Sequence, residues 1–386
     1  MNHAIWKFLT SLRLTVVLLL LGIILIFVGT VAQADEGLYQ AQERYFKHWI
    51  VIGATMWGHH IPLVLPGGYT LGVGLVVNLV SAHIKRFKWG WSKLGIHLTH
   101  IGVVLLLLGQ LATDMLQKES RLTFNEGQSV NFVEHHRGHE LVFAADAGEG
   151  QEEVVVIPEA IVKQGGEIAP PKLPFVVRVK NFHPNAEVRQ RAPMVDKGEP
   201  PATQGSGARV TMTPLPESKD MDRKNLPAVL IEIVEAGKSL GTWLASPFLI
   251  TQPIEAGGKT YRMAFRDERV YLPFAFTLLK ATHKKYPGSD TPKDFRSRVN
   301  IVNPVTKEDR AVEISMNNPL RYSGLAFFQY QMTKDELDRA PGQSVLQVVR
   351  NPSWLVPYIG CIVVATGLIW QFLYHLVGFI SKRRKA

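Results

Sequence analysis

Cysteine is nearly absent from this chain: its 386 residues include one, Cys361. A single thiol excludes an internal disulfide framework and a Cys-x-x-Cys redox pair. Several catalytic signatures are missing too. There is no G-x-x-x-x-G-K-[ST] phosphate loop, no H-E-x-x-H zinc motif and no G-x-G-x-x-G after a strand-like run. Acidic residues are missing from three short segments, and charge of either sign is missing from four long ones. Apolar residues are too plentiful throughout for a disordered chain.

The missing acids explain the net charge of +10. Lys7 and Arg13, then Lys85, Arg86, Lys88 and Lys93, then Lys382, Arg383, Arg384 and Lys385 lie in three segments without one Asp or Glu. Elsewhere basic and acidic residues balance. The excess therefore flanks apolar runs and makes no stripe on a soluble domain, so a nucleic-acid partner is not expected. Short Lys/Arg-rich segments stay on the cytoplasmic side of a membrane and favour anionic lipid headgroups.

A helix of ~20 apolar residues crosses a ~30 Å hydrocarbon core. The four uncharged stretches predict four spans, at about 12–32, 63–84, 94–113 and 354–379. Val31-Ala32-Gln33-Ala34 imitates an A-x-A cleavage site. The first run exceeds the about 7–15 residues of a signal-peptide core, so we read it as a retained anchor. Pro62, Pro66, Gly67 and Gly68 make the start of the second span irregular. Gly95, Gly102 and Gly109 put a stripe of small residues on the third, where another helix could pack closely.

Residues 117–351 differ. Runs such as Glu153–Ile157, Phe175–Val179, Ala208–Met212, Val229–Val234, Val270–Leu279, Arg298–Val302 and Leu325–Met332 alternate with turn residues. They predict strands of a sandwich-like body. The expected fold is thus α+β: four transmembrane helices with a large extracytoplasmic β-rich domain between helices 3 and 4. The expected domains are 1–116 with three spans, 117–351, and 352–386 with the last span and basic tail. The protein is expected to be multi-pass in the inner (cytoplasmic) membrane. Both termini would be cytoplasmic and the large domain on the periplasmic side.

Ionisable residues inside spans mark function by default. His100 lies seven residues from Lys93 and His375 seven from Lys382, each ~10 Å along its helix from a charged anchor. His97, three residues before His100, shares its face. Neutral imidazole suits iron as an axial ligand, and a bilayer pocket suits the apolar bulk of haem. Each of the three can equally hydrogen-bond a neighbouring helix. His83, at the end of span two, reads as an interfacial snorkelling group. Trp89-Gly90-Trp91 looks like part of a haem-binding tryptophan motif, but its place on the basic inside loop makes it read as an interface anchor. His135, His136 and His139, in Glu-His-His-Arg-Gly-His-Glu, read as a surface loop, with a metal or haem contact as the sharper alternative. His59 and His60 are adjacent, so they do not converge on one ligand.

Two local patterns carry a family resemblance. One is Gly95-Ile96-His97-Leu98-Thr99-His100-Ile101-Gly102 with its leucine run. The other is Phe295-Arg296-Ser297-Arg298-Val299, then Asn317-Asn318-Pro319-Leu320-Arg321-Tyr322-Ser323-Gly324, then Phe327-Phe328-Gln329-Tyr330-Gln331. In this order before a last span, they resemble the ResB (CcsB) family of system II cytochrome c biogenesis proteins. The resemblance is to the stand-alone form, without the tryptophan-rich ResC/CcsA half.

The resemblance implies a partner of the ResC/CcsA type. The pair would bind and export haem and support its covalent attachment to apocytochrome c. Haem b would be a transient cofactor shared with the partner. This chain would be the accessory, non-catalytic half of a holocytochrome c synthase. A family membrane histidine matches His100 best, as axial ligand to haem iron, with His97 as the near alternative and the paired imidazole coming from the partner. His375 rests on depth alone. One cysteine cannot supply dithiol chemistry, so a thiol-reducing protein is also expected. Two rivals remain: a membrane-tethered scaffold that ligates no haem, and an electron-transfer subunit with a permanent b-type haem.

Overall fold

The computed structural model describes the chain except residues 1–2, 149–150, 193–195, 197, 219–223, 288–291, 334–340 and 385–386, and the side chains of Tyr39, His136, Arg137 and Pro292. The expectations for His136 and for Lys385 in the basic tail therefore fall outside what it describes. Among the described residues seven α-helices follow one another: α1 (His3–Leu9), α2 (Leu12–Glu36), α3 (Leu38–Ala41), α4 (Gly68–Arg86), α5 (Trp91–Leu116), α6 (Glu159–Val162) and α7 (Val356–Arg383). A π-helical turn, Gln42–Phe46, follows α3. The chain forms two compact units.

The first unit comprises Met1–Lys118 and Arg350–Ala386. Three of its helices, α2, α5 and α7, are long and apolar enough to cross a membrane. The remaining expected crossing, α4, the second in chain order, has 19 residues but carries Thr70, Asn78, Ser81 and His83, and it does not reach that hydropathy.

α5 and α7 pack antiparallel through the glycine stripe. A Cβ on Gly95 would lie 2.6 Å from the Gly367 carbonyl oxygen, one on Gly102 2.6 Å from Val364, and one on Gly109 2.7 Å from Val356. α7 answers with Gly367, whose Cβ would lie 2.7 Å from the Thr99 backbone nitrogen. Lipid tails give helices no hydrophobic reason to associate, so such close backbone approach supplies the van der Waals contact that does.

Asn78, 1% exposed on α4, ties down the break between α1 and α2. Its amide donates to the Leu9 (2.7 Å) and Ser11 (3.2 Å) carbonyls, and its oxygen accepts from Thr15 (2.6 Å). It thus satisfies carbonyls that a helix end leaves orphaned.

Residues expected as loop and as the start of span two form a hairpin, β1 (Ile50–Met56) against β2 (His59–Pro66). Trp57 and Gly58, both at positive φ, make its two-residue turn. The span expected from residue 63 therefore begins at Gly68. Pro66 disfavours helix in the residue before it. Gly67 and Gly68 then pass so close to the backbone of His48 and Phe46 that a Cβ on either would come within 2.2 Å of a carbonyl oxygen.

The second unit comprises Glu119–Ser218 and Arg223–Val349 and is β-rich. Its first strands are β3 (Lys118–Asn125), β4 (Ser129–Gly148), β5 (Gln151–Pro158), β6 (Gly166–Ile168), β7 (Val176–His183) and β8 (Ala186–Gln190). There follow β9 (Val210–Pro214), β10 (Ala228–Glu235), β11 (Lys238–Ala245), β12 (Gln252–Ala256) and β13 (Lys259–Lys285). The last are β14 (Pro292–Asn303), β15 (Glu308–Ser315), β16 (Leu320–Tyr322), β17 (Leu325–Thr333) and β18 (Gln343–Arg350).

One ten-stranded antiparallel sheet runs β15-β14-β13-β4-β3-β18-β17-β16, with β12 beside β13 and β5 beside β4. A four-stranded sheet runs β11-β10-β7-β6. The two sheets bury one core together: Phe143, Met263 and Ile254 from the large sheet, Val177, Ile231 and Trp243 from the small one. A second core, with Phe124, Phe276, Val299, Phe327 and Leu346, lies against the other end of β4 and β13. These two long strands therefore belong to both cores.

Candidate functional site

The histidines of the first unit converge where α4 turns back into α5. His83 is in the last turn of α4, and His97 and His100 are in the second and third turns of α5. The ring of His83 lies 4.9 Å from that of His97 and 5.4 Å from that of His100, centroid to centroid. Phe87 covers His97 at 4.7 Å. The three imidazoles line a cavity of about 410 Å³ with Leu79, Ala82, Arg86, Lys88, Lys93 and Ile96. Small-molecule and cofactor sites occupy roughly 300–1,000 Å³.

Hydrogen bonding assigns the lone pairs. A carbonyl oxygen can only accept, so His100 donates from Nδ1 to Ile96 (2.7 Å). In the neutral ring Nε2 is then the lone-pair nitrogen. His97 donates from Nε2 to the Lys88 carbonyl (3.0 Å), so its Nδ1 accepts from His83 Nε2 (3.2 Å). Both nitrogens of His97 are thereby engaged. The lone pairs left over are Nε2 of His100 and Nδ1 of His83.

Among the described residues no three His, Cys, Asp or Glu side chains group to hold a bare metal ion. The donor set suits haem, whose iron takes four ligands from its own ring and asks the protein for one or two. His100 has what an axial imidazole needs: a free Nε2 and an Nδ1–H anchored on a carbonyl, which fixes tautomer and orientation.

His375 does not join this cluster. In the α5–α7 register Trp91 stands beside Trp370, with ring centroids 5.8 Å apart, and Gly102 beside Val364. His375 therefore lies past the start of α5, about 11 residues or ~16 Å along the axis from the level of His100. It is exposed and bonds Gln371 (2.6 Å). Counting from each helix's own charged anchor gave the two histidines equal depth. The overhang of α7 beyond α5 removes that equality.

His83 was read from the sequence as snorkelling; it is part of the site. The signal that could have found it is the short connection from Phe87 to Gly90, which brings the last turn of one helix beside the first turns of the next. His59 is exposed on the β1–β2 hairpin, and the His60 ring packs 2.5 Å from where a Cβ on Gly53 would lie.

The expected surface loop around His135 and His139 is instead the middle of β4. His139 faces Asp267 and the next pair is His135 with Glu268, so β4 bulges there between the two cores. His139 is 6% exposed. Its Nδ1 donates to Glu159 (2.8 Å), while Nε2 lies 3.6 Å from Asp267. Burial pushes the Glu159 carboxyl up, but hydrogen bonds from His139 and Lys163 outweigh it and hold it below its ordinary value. Arg266 with Glu140 and Arg269 with Glu134, each at 2.9 Å, complete a charged waist. Gly237-Lys238-Ser239-Leu240-Gly241 has the G-x-S-x-G spacing but forms the β10–β11 hairpin, not the strand-to-helix turn that exposes a nucleophile.

Residues 250–342 match the model of the ResB-like family. They hold all three pieces of the later sequence pattern and lie outside α4 and α5. Over 111 residues the chain is 33% identical to Protein NrfI of Wolinella succinogenes, which covers 29% of this chain and 12% of that relative. The match thus spans about an eighth of that protein's length. The chain thus has apolar helices fit to span a bilayer and a β-rich region in which residues 250–342 are similar to the ResB-like family.

Proposed function

We propose that this chain is a cytochrome c assembly factor of the inner membrane that offers His100 as an axial ligand to haem b. It does so transiently, beside a ResC/CcsA-type membrane partner that contributes the opposing imidazole, exports haem with it and completes the transfer to apocytochrome c. In this reading α4 also crosses the membrane, as the second of four spans. Its polar residues face protein and the cavity rather than lipid, as Asn78 does. The basic segments then lie inside and the β-rich unit outside, between the third and fourth crossings.

The observation that carries the reading is the His100 ring itself: Nδ1 bonded to Ile96, Nε2 left with its lone pair, in a cavity between two helices. His97, with both nitrogens engaged, acts as a positioning residue. Attachment adds a thiol S–H across a vinyl C=C and is redox-neutral. The thiols belong to the apocytochrome, kept reduced by a separate thiol-reducing protein, and this chain's one cysteine takes no part.

His100→Ala tests the reading in cells. Cytochrome c maturation should stop while the protein remains inserted, and added imidazole should restore part of it. Normal maturation in a stable His100→Ala protein would contradict it. One observation favours a second reading. His83 presents a second lone-pair nitrogen near His100, so a permanent b-type haem could be held by this chain alone. Haem that stays bound without a partner and exchanges electrons with a quinone would establish that alternative.

A further inference from the structure

Three cations line the histidine cavity: Arg86 from the end of α4, Lys88 from the connection and Lys93 from the first turn of α5. From residue 44 to residue 113 the chain has no Asp or Glu. Among the described residues no carboxylate pairs with any of the three. Neighbouring Lys85 turns the other way and donates to Thr10 (3.0 Å). The positive-inside rule asks only that cations lie somewhere in this segment. It does not ask that three from different elements surround one cavity.

We propose that Arg86, Lys88 and Lys93 form a carboxylate-binding rim, so that the macrocycle ligated by His100 is held with its propionates toward the α4–α5 connection. This rests on the haem reading of the same cavity. Lys93 and His100 are seven residues apart, two turns or ~10 Å along one helix, so rim and ligand bracket an extended, planar molecule. Arg presents a fork that matches a carboxylate, and lysines supply point charges at the end of long stems. The uncharged edge, which bears the vinyl groups that later take the thiols, then points toward the bilayer interior. The rim thus sets which edge of the porphyrin leads outward.

The test uses the full-length chain purified in neutral detergent. Haem b and its dimethyl ester, in which both carboxylates are blocked, are titrated by absorption and by quenching of tryptophan fluorescence. Wild type should bind haem on the order of tenfold or more tighter than the ester, the scale of a charge-assisted hydrogen bond or two. Arg86→Gln/Lys88→Gln/Lys93→Gln should bind both with the weaker affinity. Equal affinity of wild type for the two compounds would overturn the rim. So would unchanged haem binding by the triple variant with reduced binding only to phosphatidylglycerol vesicles, which would assign the cations to lipid. His100→Ala binding haem with an unaltered spectrum would defeat the axial reading instead, so the two failures are distinct.

Discussion

His97 and His83, on adjacent helices, share one hydrogen bond of 3.2 Å, and the other nitrogen of His97 is spent on the Lys88 carbonyl. A ring bonded at both nitrogens has no lone pair for iron. His97→Ala should therefore weaken haem binding without abolishing the axial signature, and added imidazole should not restore what is lost. His100→Ala should behave in the opposite way on both counts. Absorption spectra of the two variants with and without imidazole separate the roles.

The glycine seam makes a stability prediction. Gly102→Ala puts a methyl 2.6 Å from Val364, whereas Gly22→Ala on α2 meets nothing within 4 Å. Overpacking costs about 1–3 kcal/mol. Thermal unfolding in detergent should show that loss for Gly102→Ala and none for Gly22→Ala.

The waist of the β-rich unit should be acid-sensitive. Glu159 is held below its ordinary value of 4.5 by His139 and Lys163. A carboxyl depressed in the folded state contributes stability that is present above 4.5 and is lost as pH falls through the folded value. Circular dichroism melts between pH 6 and pH 3 should show the β signal weakening below that point. Glu159→Gln should start about 1.5–3 kcal/mol less stable near neutrality, as hydrogen bonds to charged groups predict, and respond less to acid.

The crossing by α4 predicts opposite accessibility for its two flanks. In a Cys361→Ser background, His59→Cys should react with a membrane-impermeant maleimide added outside intact cells, and Lys88→Cys should react only after permeabilisation. Labelling of both from outside would show that α4 does not cross.

Much of the architecture was legible because it rests on local pattern. The uncharged runs became α2, α5 and α7, and five of the seven runs in the polar region lie within strands, while Phe175 precedes β7 and Ala208-Arg209 end a 3-10 turn before β9. The glycine stripe foretold the α5–α7 contact. What was missed depended on pairing between distant elements. His139 sits in a polar stretch that reads as loop. It lies in a strand because β13, nearly three times as long as its apolar run suggested, pairs along it. The hairpin before α4 was hidden in an apolar run, because its turn, Trp57-Gly58, lacks the Asn-Gly or Asp-Gly pair that marks a two-residue hairpin. His83 and His375 were misplaced for one reason. Depth was counted along single helices, and which histidines meet is decided by how the helices are staggered.

The central claim is that His100 offers its Nε2 to haem iron. The most direct measurement is the absorption spectrum of this chain purified with its membrane partner and haem, for wild type and for His100→Ala. The account predicts a six-coordinate low-spin spectrum for wild type. Loss of that form in His100→Ala should be reversed by added imidazole. An identical low-spin spectrum in the two proteins, at equal haem content, would contradict it.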